Sequence, residues 1–140
     1  MPAMSHAKVL VADVPEADEK IRECLPGHDL HFVRTLGAAI RELRGDGYQL
    51  IVIGMHFDDS RMFELLRYVR GLSQHKDVPV ICVQCQEVML SEAVLKNMED
   101  AVKALGGTAF VDLRDGSNVF HHHCDFLNQV AAQASQLRPN

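Results

Sequence analysis

Three groups of residues in this sequence have types and spacings that could do chemistry. Asp13 stands at the end of the apolar run Val9-Leu-Val-Ala12, while Asp58 and Asp59 follow the run Leu50-Ile-Val-Ile53 after a short loop that also carries His56. Carboxylates at such places can hold a hard cation or accept a phosphoryl group. Cys82-Val-Gln-Cys85 has the C-x-x-C spacing of redox pairs, and His121-His122-His123-Cys124, followed by Asp125, gathers imidazole and thiol groups of the kind that bind zinc or copper.

The last two groups have simpler structural readings. A redox C-x-x-C needs a thiolate at a helix start, whereas Cys82 and Cys85 run off the end of an apolar strand, where alternation would turn them to opposite faces. They read as two small core residues. Consecutive helical residues fan out by about 100°, so three neighbouring histidines cannot converge on one ion. His121 could share a face with Cys124 or Asp125, but Cys124 falls on an inner stripe, which leaves His121 and His122 in solvent and His123 at the border. No metal and no cofactor is expected, and His56 reads as a loop residue.

The elements that must position these groups follow from periodicity. Leu50–Ile53 is apolar without alternation, as suits a central strand covered on both faces. Met62, Leu65, Leu66, Val69 and Leu72 then recur at helical spacing. Strands are expected at 7–12, 30–35, 80–83 and 109–113. A first helix opens at Pro15 and carries Ala17, Ile21, Cys24 and Leu25; a second carries Leu36, Ala39, Ile40 and Leu43 and ends at Gly45-Asp46-Gly47. Ser91 can cap a fourth helix with Val94, Met98, Ala101, Val102 and Leu105 on one face, and a fifth runs from Asn118 to about Leu137. Five strands alternating with five helices through short loops predict an α/β fold with a five-stranded parallel sheet, doubly wound and flavodoxin-like.

Length and charge narrow the function. The chain of 140 residues fits one domain, expected over 7–137 with flexible termini at 1–6 and 138–140. With 19 acidic against 14 basic residues and a net charge of −5, neither nucleic acid nor an anionic membrane is the expected partner. Without a signal-like start or an apolar run long enough to span a bilayer, the expected location is cytoplasmic. There Cys24, Cys82, Cys85 and Cys124 would be reduced, buried thiols.

The order of elements, together with Lys8-Val-Leu-Val-Ala-Asp13, Tyr48 to Arg70, Asp77-Val-Pro-Val-Ile-Cys-Val-Gln84 and Gly106-Gly-Thr-Ala-Phe-Val-Asp-Leu113, resembles the CheY-like receiver domain of bacterial response regulators, from about residue 7 to 135. The resemblance implies a pocket that this sequence has largely replaced. Where the family has two adjacent acidic residues for Mg²⁺, Asp13 matches one and Val14 the other. The phosphate-accepting aspartate matches Gly54, the Thr or Ser after the fourth strand matches Gln84, and the Lys-Pro after the fifth matches Leu113-Arg114, or Asp112 at the lysine with a one-residue shift. The switch aromatic is kept as Phe110. Glycine has no nucleophile and one carboxylate in three is left for the cation, which implies a pseudo-receiver. The segment from Gln84 to Gly106 is about seven residues longer than the family spacing, enough for a longer fourth helix or a longer loop.

The expected function is therefore a free-standing, receiver-like signalling domain of the two-component type that is not an enzyme. It is expected to act without phosphorylation by binding a protein, such as a histidine kinase or another signalling protein, or a second copy through the side of the fourth and fifth helices. Two alternatives stay open: a receiver phosphorylated at Asp58 or Asp59, and a metal- or redox-responsive sensor using the histidines or cysteines.

Overall fold

A computed structural model describes residues 6–45 and 47–136. Asp46, Leu137 and the expected flexible ends, apart from His6, lie outside the described residues. The strands are β1 (Lys8–Ala12), β2 (Asp29–Val33), β3 (Leu50–Gly54), β4 (Val80–Gln84) and β5 (Ala109–Asp112). The helices are α1 (Asp18–Cys24), α2 (Leu36–Leu43), α3 (Met62–Gly71), α4 (Glu92–Ala104) and α5 (Phe120–Ala134). All strand pairs are parallel, in the order β2-β1-β3-β4-β5. This is the five-stranded, doubly wound, flavodoxin-like architecture expected from the periodicity.

The strand order explains the apolar runs. β3 sits in the middle and every one of its residues is buried. Its side chains alternate, Ile51 and Ile53 packing with α2, α3 and α4 on one face, Leu50 and Val52 with α1 and α5 on the other. Cys82 and Cys85 likewise fall into opposite cores, as strand alternation requires.

Several boundaries differ from the expected ones for local reasons. Pro15–Ala17 forms a separate 3-10 turn before α1, so the first helix is shorter than expected. α5 begins at Phe120 and not at Asn118, with no side-chain cap at Val119. Ser91 does cap α4, its hydroxyl accepting from Val94 N at 3.2 Å. The residues from Cys85 to Ser91 form a loop between β4 and α4, and α4 itself runs for 13 residues. At the other end of α4, a Cβ on Gly107 would overlap Val102, which only glycine allows.

Candidate functional site

The carboxyl ends of β1, β3, β4 and β5 bring Asp13, Gly54, Gln84, Asp112 and Leu113 to one edge of the sheet. Register places them: Ala12 pairs with Ile53, Gly54 with Val83, and Gln84 with Asp112. Asp13, one step past Ala12, lies against Gly54 so closely that a Cβ built on the glycine would overlap the aspartate carboxyl group. The space that a side chain at position 54 would use is filled by Asp13. The cleft is closed, since Asp13, Gly54, Gln84 and Leu113 are all buried. Leu113 packs among the apolar residues of the α1/α5 face, and Phe110 is buried in the opposite core beside α3 and α4.

Asp13 is an unusual carboxyl group. It is 3% exposed, and Oδ1 accepts from Val14 N at 2.8 Å. Arg34, the nearest guanidinium, donates to the main-chain oxygen of Asp13 at 3.0 Å and forms two bonds to Asp18, at 2.9 and 2.5 Å. Burial therefore pushes Asp13 up to about 7, the Val14 bond offsetting only part of it. Gln84 donates Nε2 to Gln86 O at 2.7 Å, while its buried Oε1 has no partner. This set does not fit the Mg²⁺ that the receiver resemblance implies. One carboxylate stands where three would, burial keeps it partly protonated at pH 7, and it is turned in upon the glycine.

The cations at this edge are held elsewhere. Lys20 of α1 donates to Cys85 O at 3.1 Å, pairs with Glu87 and lies 3.5 Å from Asp115. Glu87 also accepts from Asp115 N at 2.7 Å and Gly116 N at 3.1 Å; together with Lys20, whose bond is the largest influence, these hold its carboxyl down at about 2. Arg114 pairs with Asp112 and donates to Val88 O at 2.7 Å. Burial alone would raise Asp112, but the Arg114 bonds keep it below the usual carboxylate range. A lysine is thus present, but it fastens the β4–α4 and β5–α5 loops. Lys20, Glu87 and Arg34 are not marked by any motif, and Arg114 matches only the proline of the family's Lys-Pro. The signal for Lys20 was its place one helical turn before Cys24, on the side of α1 that faces the sheet.

Asp58 and Asp59 stand in a turn of three left-handed residues, with φ of 43°, 57° and 67° at Asp58, Asp59 and Ser60. Asp58 Oδ2 accepts from Leu36 N at 2.8 Å and so joins the N-terminus of α2, while Asp59 is exposed. His56 is half-buried in the same loop. On α5, His121 and His122 are exposed, and His123 Nδ1 accepts from Asp112 N at 2.9 Å. Among the described residues no three His, Cys, Asp or Glu side chains are grouped to hold a metal ion. Cys82 is pushed up to about 12 by burial and Cys85 is also raised, so neither is a ready thiolate.

One expectation is overturned. Cys24 and Cys124 are joined by a disulfide between α1 and α5, with a Cα–Cα distance of 5.0 Å; only Cys82 and Cys85 are free. The inner stripe of α5 correctly turned Cys124 inward, but the stripe could not show that Cys24 lies opposite it. Cys124 is therefore no metal ligand in this form.

No protein-family model matches the sequence, and no curated protein does. Solved structures do match in fold. The phosphorylated cyanobacterial phytochrome response regulator RcpA is 15% identical, with a TM-score of 0.71 over 90% of this chain and 94% of that one. Chemotaxis response regulator CheY4 of Vibrio cholerae is 20% identical, with a TM-score of 0.68 over 89% and 98%. A response regulator from Hahella chejuensis is 23% identical, with a TM-score of 0.64 over 91% of each chain. The chain has the receiver fold of two-component response regulators.

Proposed function

We propose that this domain is a receiver-like signalling module of the two-component type that acts without being phosphorylated, by docking a protein partner in the cytoplasm. The observation that carries the proposal is the contact of Asp13 with Gly54. A buried carboxyl group that burial keeps partly protonated fills the place where an acceptor would stand, and the glycine beneath it has no nucleophile. With Lys20 held by Cys85 O and Glu87, the charge of a transferring phosphoryl group would also go unmatched. The domain is a degenerate receiver and not an enzyme.

The docking surface we assign is the face of α4, β5 and α5. A cavity of about 250 Å³ opens there, lined by Leu95, Phe110, Asp112, Val119 and His123 among others. Next to it a cavity of about 490 Å³ lies under the β4–α4 loop, where Val88 and Met89 are exposed, as is Val94 on α4. Apolar side chains left in water around a concave surface suit a protein partner. That partner is either a second copy or another signalling protein such as a histidine kinase, and sedimentation over a range of concentrations separates the two.

Incubation with a small phosphodonor and Mg²⁺, followed by intact mass measurement, tests the silent site. An unchanged mass is expected, and one added phosphoryl group on an aspartate overturns the proposal. Peptide mapping to Asp58 or Asp59 would instead identify a displaced acceptor.

A further inference from the structure

The amino-terminal half of α5 is weakly built. Its buried residues are Leu127, Ala131 and Ala134, all in the later turns, whereas Phe120 to Phe126 include no buried side chain. Val119 gives no side-chain cap and the first turn carries no acidic residue. Instead His121, His122 and His123 occupy the first turn, where an acidic side chain would suit the helix dipole. Besides the half-buried Phe120, two attachments hold this segment: the bond from Asp112 N to His123 Nδ1 and the disulfide from Cys124 to Cys24. The other end of the disulfide is firm. Cys24 is 2% exposed on α1, beside the buried Ile21 and Leu25.

We propose that Cys24–Cys124 is a reversible thiol–disulfide exchange site whose oxidation state sets the order of the first two turns of α5, and through them the α4–β5–α5 face. The effect on the face rests on the docking role assigned above, because Val119 and His123 form one wall of its 250 Å³ cavity. Three further observations fit exchange better than a permanent staple. Cys124 is half-buried while Cys24 is enclosed, so an attacking thiol would come from the Cys124 side. Of the remaining thiols, Cys82 is buried in the opposite core, and Cys85, which shares the core of the pair, is buried and its thiol is pushed up by that burial, so neither is a ready thiolate to shuffle with the bond. Two complete cores on the sheet keep the rest of the fold independent of the bond, and in a cytoplasmic protein a disulfide is usually transient or redox-sensing.

The exchange partner is a dithiol. Its thiolate attacks Cys124 Sγ, the bond to Cys24 breaks, and Cys24 leaves as a thiolate that takes up a proton. The second thiol of the reductant then attacks the mixed disulfide and releases Cys124. Two electrons and two protons pass to the protein, and the reductant ends as its own disulfide.

The test uses the full chain, oxidised and then treated with dithiothreitol under native conditions, with thiol counting and amide exchange read by mass spectrometry. The oxidised form is expected to show no rapidly reacting thiol and the reduced form two. Peptides covering 118–126 should then exchange at least tenfold faster, with β1 and β3 unchanged. Cys24→Ser and Cys124→Ser should each resemble the reduced form whatever the oxidant. Equal exchange in the two forms, reduction only when the whole protein opens, or failure of the reduced pair to re-form under a mild disulfide oxidant would each overturn the proposal. These readouts are independent of the phosphodonor experiment, so failure of one idea leaves the other standing.

Discussion

The Asp13 carboxyl group lies in the space left by the missing side chain of Gly54, and the two positions therefore behave as one unit. Gly54→Ala should force Asp13 out of place and cost about 1–3 kcal/mol, the usual range for overpacking. In an Asp13→Ala background the same change should cost much less, and urea denaturation of the four proteins measures the coupling. Gly54→Asp should not create an acceptor unless Asp13 also gives way. The pH dependence follows from the same burial. An aspartate whose carboxyl is raised from 3.8 to about 7 in the folded protein binds its proton more tightly there than in the unfolded chain. Its contribution favours the folded state below about pH 4 and is lost as the pH rises through 7. The change is on the order of 4 kcal/mol at one pKa unit per 1.36 kcal/mol. Asp13→Asn should flatten stability between pH 5 and 8 and leave the protein more stable than the parent at pH 8.

Helices and loops are joined by cations more than the amphipathic pattern suggests. Arg70 of α3 donates to Gly106 O at 2.6 Å, Val78 O at 2.8 Å and His75 O at 3.2 Å, tying the end of α3 to the entrances of β4 and β5. Arg70→Met leaves these carbonyls short of donors and should cost about 2–3 kcal/mol by chemical denaturation. Arg70→Lys should recover little of it, since a single ammonium cannot replace the planar fork. Lys20 plays the corresponding part on the other face. Lys20→Met should free Glu87 and speed amide exchange at Asp115 and Gly116, whose N–H groups donate to that carboxylate. None of these ties was legible in advance, because none follows a spacing rule, and those from Arg70 to Gly106 and from Lys20 to Glu87 join residues remote in the sequence.

For the molecule as a whole, the disulfide closes a separation of 100 residues. A loop of that length restricts the unfolded chain by up to about 4.7 kcal/mol in the entropy model. The double variant Cys24→Ser with Cys124→Ser should therefore melt at a lower temperature while keeping the spectrum of the native α/β fold, as calorimetry and circular dichroism would record. A variant with unchanged melting would mean that the reduced chain is already as constrained as the oxidised one. The cost bears on the unfolded state, whereas the loosening of α5 is local to the folded one, so the two measurements need not move together.

Periodicity and strand-end chemistry determined the five parallel strands, the placement of Asp13, Gly54, Gln84 and Leu113 at one edge, and the absence of a nucleophile at the tip of β3. These are local properties: an apolar run or a glycine at a strand end keeps its meaning whatever lies around it. The tertiary structure decided what local patterns could not. It turned Asp13 into the empty place beside Gly54, bound Asp58 to the start of α2, brought Lys20 across to Glu87, and set Cys24 against Cys124. Each depends on a distance between elements remote in sequence, and such a distance exists only once the helices have packed on the sheet.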